Sequence, residues 1–358
     1  METLPCTMLL EVVERLDVKS TLKLMETSKS ICDLIRNYQF SISMAQVARF
    51  TMPPVGNVLS SEVFERRCIQ HGTFEMALEM EQREARINDI LSNSGYINFV
   101  TPLQLGPLNV TQQKKLYDLL KRAMQHCDRI ADIAANKPCS PIGRLWYIQL
   151  EKKRFEAFDM PIGFRLKDPI TNLGARQAQL EYINSLSAED LAMIYYLLAA
   201  MAQGYYRESE EWVPSDPIFI ERQTVFRECV LRHGTWFTWS HIRGDKSWKN
   251  MAYAIIRVAL VELTSFEFGM DPEDEEETPP SLQSALMDRF GVLYQCEDDS
   301  GWAPEMFKVV RRIVKGTREA DEVKGEEDAE DAAEDETVQE DDDQAEQEDQ
   351  AKEEGDEN

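Results

Sequence analysis

Residues 191–202, LAMIYYLLAAMA, form the longest uninterrupted apolar run in the chain. A helix of that composition has no polar face to turn to water, so other elements must cover it. Twelve residues rise only about 18 Å as a helix, well short of the roughly 30 Å of bilayer hydrocarbon. The run therefore reads as a buried helix. Ser187, followed by Ala188, Glu189 and Asp190, gives it a capping-box-like start, and Gln203 marks its end.

The remaining segments are mostly helical too. Phe74–Leu91 is rich in Glu, Ala, Met and Arg. Thr111 opens a helix to about Ala135, stopped by Asn136, Pro138 and Pro141. Further helices are expected over Gly143–Phe158, from Asp216-Pro217 to His233-Gly234, over Lys246–Phe268, Pro280–Phe290 and Pro304–Lys315. Ser60 or Ser61 caps another through Gln70, closed by His71-Gly72. Strand-like alternation is scarce, and no repeat of 20 to 50 residues recurs, which excludes leucine-rich, propeller and kelch arrays. The fold class expected is all-α. A three-helix N-terminal module fills residues 1–52, an irregular multi-helix domain 53–316, and a disordered acidic tail 317–358.

The tail holds most of the chain's charge. Residues 317–358 contain 22 Asp/Glu against three Lys/Arg, which is −19 of the total −26. A segment so charged and so poor in apolar residues repels itself and stays disordered. The body has no clustered basic face, so binding to nucleic acid is not expected. Seven scattered cysteines without a CxxC pair and no signal peptide point to reduced thiols and a cytoplasmic or nuclear location.

Residues 4–35 read as three short helices. Pro5 suits a first helical position, and Leu9, Val12, Val13 and Leu16 recur at helical spacing. Asp17 stands as N-cap for a second helix carrying Leu22, Leu24 and Met25. Thr27-Ser28 joins it to a third with Ile31, Leu34 and Ile35. So little chain cannot close its own core. On the first helix, Met8 to Leu16 spread their apolar groups over about 200°, twice what one core-facing stripe needs. One face packs at home and the other needs a further surface.

In these residues the stretch resembles the F-box. The family pattern is matched by Leu4-Pro5, Met8-Leu9, Glu11-Val12-Val13, Leu16-Asp17, Lys19-Ser20, Leu22-Lys23-Leu24 and Asp33-Leu34-Ile35. Thr7 departs from it, standing where the family usually has Glu. The resemblance implies an adaptor that binds a Skp-family subunit of a cullin–RING ubiquitin ligase and recruits a protein target for ubiquitination. Leu4, Pro5, Met8, Leu9, Val12, Val13, Leu16, Leu22 and Leu24 would be the adaptor-facing or supporting set. A reading of another class is an acidic-tailed, chaperone-like protein binding basic clients, with the N-terminal helices purely structural.

Chemistry has little foothold. The four histidines form no HExxH pair, and no His/Cys set has zinc spacing. His126 and Cys127 point about 100° apart on one helix, which argues against a nucleophile–base pair. No enzyme activity, cofactor or metal is expected. The densest aromatic stretch runs from Trp236 through Trp239 to Arg243, with Trp248 close behind. It could line a target pocket, but the one-turn spacing of Trp236 and Trp239 favours core. Last, Phe64…His71-Gly72-Thr73-Phe74 is echoed at Phe226…His233-Gly234-Thr235-Trp236. Two ordinary glycine-capped helix ends explain that better than a duplicated unit.

Overall fold

A computed structural model describes residues 5–61, 67–92, 105–137, 173–207, 217–242, 281–294 and 302–316. Within them the fold is all-α: twelve α-helices, one 3-10 turn and a pair of two-residue strands. The expected helices 143–158 and 246–268 and the tail 317–358 lie outside the described residues.

Two apolar clusters organise the chain. The larger is built around α8 (Ala188–Arg207), whose residues 191–202 are all buried, as the apolar run requires. Its N-terminus is capped as expected: Ser187 Oγ accepts from Asp190 N at 3.1 Å. Around it lie α6 (Val110–Ile133), α7 (Leu173–Asn184), α9 (Pro217–His233), α11 (Leu282–Tyr294) and α12 (Trp302–Lys315). Asn109 and Gln112 form a reciprocal capping box at the start of α6, with bonds of 2.9 and 3.0 Å. The 3-10 turn Ala134–Asn136 ends it.

The smaller cluster holds the N-terminal helices α1 (Cys6–Arg15), α2 (Val18–Met25) and α3 (Lys29–Asn37), and a fourth beyond the three expected, α4 (Gln39–Val47). Val13, Val18, Ile35, Ile42 and Val47 are buried there, and the cluster runs on into Val58, Ile69, Phe74, Met76, Ala77 and Met80. The apolar packing thus crosses residue 52. The first turns of α5 (Phe74–Ser92) complete a core that three short helices could not close.

Of the helix expected from Ser60 or Ser61 to Gln70, the described residues 60, 61 and 67–70 are not helical. Instead β1 (Val58–Leu59) and β2 (Cys68–Ile69) pair antiparallel, Val58 opposite Ile69 and Leu59 opposite Cys68. The cause is tertiary. Leu59 N donates to Asp132 Oδ1 at 2.9 Å, Arg83 Nη2 donates to Leu59 O at 2.9 Å, and Asn57 N donates to Asn136 Oδ1 at 2.8 Å. These side chains of α5, α6 and the 3-10 turn hold the backbone extended and override the local helix signal.

Candidate protein-binding site

The α1–α2 corner is fixed from behind. Asp17 caps α2, its carboxylate accepting from Ser20 N at 2.7 Å and Ser20 Oγ at 2.9 Å. Those bonds, led by the backbone one, hold its carboxyl below the usual range. Gln46 of α4 donates to Leu16 O at 3.1 Å and to Thr21 Oγ1 at 3.0 Å. Glu81 of α5 accepts from Val18 N at 3.1 Å. A helix pair capped at its turn and pinned there by α4 and α5 presents its outer face rigidly.

That outer face is apolar. Met8 is 54% exposed, Val12 47% and Leu22 40%. Pro5, at the N-cap of α1, is exposed beside them. Positions 5, 8 and 12 share one side of a helix. The other predicted residues turn inward. Val13 is fully buried, Leu9 and Leu24 pack on the N-terminal cluster, and Leu16 is half-buried at the end of α1. Leu4 lies outside the described residues. This ridge can bury apolar area against another molecule.

The aromatic stretch divides differently. Trp236, in α10 (Thr235–Ile242), is 1% exposed, with its Nε1 donating to Ser61 O at 3.2 Å. It is core, which removes it as a target-pocket residue. Trp239 is half-buried, donates to Asp89 Oδ2 at 3.3 Å, and has the Arg86 guanidinium 5.9 Å from its ring centre. Arg243 and Trp248 lie outside the described residues. The His-Gly-Thr echo also splits. Gly72 and Gly234 both have positive φ, 76° and 70°. Yet Gly72 follows β2 rather than a helix, and Thr73 Oγ1 caps α5 through Met76 N at 3.2 Å. Thr235 instead donates inward to Asp128.

What the sequence did not announce is a buried ionic cluster where α5, α6 and α10 meet. Glu79, Arg83, Arg86, Asp128 and Asp132 are each less than a tenth exposed. Arg83 reaches Asp132 through two bonds, 2.6 and 2.8 Å, and Glu79 at 3.1 Å; Arg86 reaches Glu79 at 2.8 Å. Asp128 Oδ1 accepts from Thr235 N at 2.7 Å and from its hydroxyl at 2.9 Å. Burial pushes the Asp128 carboxyl above its usual range although Arg83 and Arg86 act against it. The spacing 79, 83, 86 and 128, 132 puts each set on one helix face, and this was the available signal.

His126 donates or accepts at 2.8 Å with the Tyr182 hydroxyl through Nδ1, and its Nε2 is 3.7 Å from Asp190 Oδ1. Cys127 is buried away from it, and burial pushes its thiol up. No nucleophile is assembled by this pair. Among the described residues no group of three or more His, Cys, Asp and Glu could hold a metal, and no helix is long and apolar enough to cross a membrane. No family model, curated protein or solved structure matches the chain.

Proposed function

We propose that the chain is an F-box-type adaptor whose α1–α2 ridge docks on a Skp-family subunit of a cullin–RING ubiquitin ligase. The helical body then recruits a protein target for ubiquitination. One observation carries this reading. The residues that give the F-box resemblance separate into an inward set led by Val13 and an outward apolar set, Pro5, Met8, Val12 and Leu22. Exposed apolar side chains clustered on a rigid corner are what a helix-docking interface uses.

The test is a pull-down of a Skp-family subunit by the full chain and by a Met8→Glu/Val12→Glu variant. Wild type should bind and the variant should not, with the same thermal midpoint for both. Equal binding by the two, or none by wild type, would overturn the assignment.

A further inference from the structure

A cleft of about 30 Å3 opens between α5, α6 and residues 52–54. Met52, Pro54, Met80 and Ile87 give it apolar walls. Its polar lining is Arg83, Glu84, Gln125, Asp128, Arg129 and Asp132, and most of these groups are already engaged. Arg83 is held by Glu79, Asp132 and Leu59 O. Glu84 takes Lys121 at 2.6 Å and Gln125 Nε2 at 3.2 Å. Arg129 donates to Pro53 O at 3.1 Å.

The capacity left over is acceptor capacity. Gln125 Oε1 is buried with no donor. Turning the amide over would set that oxygen against the Glu84 carboxylate, so the orientation is fixed. Among the described residues, Asp128 receives hydrogen bonds only from Thr235, a neutral residue. The buried cluster counts three carboxylates, Glu79, Asp128 and Asp132, against two guanidinium groups, Arg83 and Arg86. Glu79 and Asp132 are each bonded to a guanidinium and Asp128 is not, and such a carboxylate beside an orphan acceptor favours a donor-rich cation.

We infer that this cleft takes a guanidinium group on an aliphatic stem, its fork donating to Asp128 and Gln125 and its stem lying on the apolar walls. A planar fork of five donors reaches two separate acceptors at once, and the apolar side chains of Met52, Pro54, Met80 and Ile87 suit the stem. An anion would meet Asp128, Asp132 and Glu84, and the cations of the lining are already held, Arg83 by Asp132 and Arg129 by Pro53 O. The cleft shares no residue with the α1–α2 ridge and does not rest on the adaptor reading. Such a group could arrive as an arginine side chain of a protein or as a free small guanidine.

Chemical-shift titration of the full chain with N-acetyl-arginine N-methylamide, its citrulline counterpart and free arginine tests this. The capped arginine should bind, with the citrulline probe weaker by about tenfold or more. Capped arginine ahead of the free amino acid would point to a side chain as the source, and the reverse order to a small molecule. Asp128→Asn should also weaken the arginine probe about tenfold. If that variant melts below wild type, Gln125→Leu, which leaves the ionic cluster intact, is read instead and should weaken it about fivefold. No binding of either arginine probe, equal binding of citrulline, or a variant binding as wild type does would overturn the inference.

Discussion

Asp128 and Thr235 stand 107 residues apart in sequence, yet the carboxylate of one takes both the amide and the hydroxyl of the other, at 2.7 and 2.9 Å. This contact fixes the start of α10 against α6 inside a cluster whose members are each less than a tenth exposed. Thr235→Val keeps the shape and removes the hydroxyl. It should cost about 1–3 kcal/mol in urea unfolding, because the buried carboxylate is left short of a donor.

The same carboxyl gives a pH signature. Burial raises its pKa in the fold despite Arg83 and Arg86. A raised value means stability that is present below the unfolded pKa and lost as pH rises through the folded one. Asp128→Asn imitates the protonated form and retains an oxygen for Thr235 N. Its thermal midpoint relative to wild type should therefore improve between pH 4 and pH 7. A constant gap across that range would show the carboxyl to be ionised at no cost.

Glu228 behaves oppositely. It is fully buried, and burial alone would raise its pKa. Arg232 at 2.8 Å and Arg176 at 3.1 Å, with the amides of Gln283 and Leu282, hold it instead at about 2. Its oxygens thereby cap α11 from outside, accepting from Leu282 N at 3.1 Å and Gln283 N at 3.0 Å. The stability from this lowered pKa is complete above about pH 4.3 and fades as pH falls through 2. Glu228→Gln should cost about 3–5 kcal/mol at pH 7, since two buried guanidinium groups lose a carboxylate. The difference from wild type should shrink in melts taken from pH 4 down to pH 2.

Gly234 separates α9 from α10 at φ 70°, and a Cβ there would sit 2.3 Å from Asp128 Oδ1. Gly316 also has positive φ, 91°, but open space around it. Alanine at 316 should cost only the left-handed backbone penalty, about 1–2 kcal/mol. Alanine at 234 should cost that and about 1–3 kcal/mol of overpacking. Parallel urea titrations of the two variants measure the difference.

These positions also show what could be read from the sequence. The all-α class and most helix boundaries were legible because apolar periodicity and caps are local: Ser187 for α8, Asp17 for α2. The central burial of residues 191–202 followed from their having no polar face. The hairpin at 58–69 was not legible, since Asp132, Arg83 and Asn136 impose it from elsewhere in the chain. Helix α4 was missed because Gln39–Val47 is weakly amphipathic and lacks a side-chain cap. The burial of Glu79, Arg83 and Arg86 could not be told from an exposed charged face, because spacing gives the face and only packing gives its surroundings. For the ridge, the sequence named the set of apolar residues, and the packing of α4 and α5 decided which of them turn outward.

Val12 and Val13 make the sharpest test of that division. They are neighbours about 100° apart on α1; Val13 is fully buried and Val12 is 47% exposed. Val13→Ala removes two buried methyl groups and should cost about 2 kcal/mol. Because Met8 and Leu22 remain outside, binding to a Skp-family subunit should persist wherever the chain stays folded. Val12→Asp touches no core and should change stability by no more than about 0.5 kcal/mol. It places a charge in the middle of the apolar ridge, and desolvating that charge at an interface should weaken binding about tenfold or more. Urea unfolding and titration with the Skp-family subunit, run on both variants, should thus give opposite patterns. If Val13→Ala lost the binding while Val12→Asp kept it, the docking face would be the side of α1 that now packs on α4.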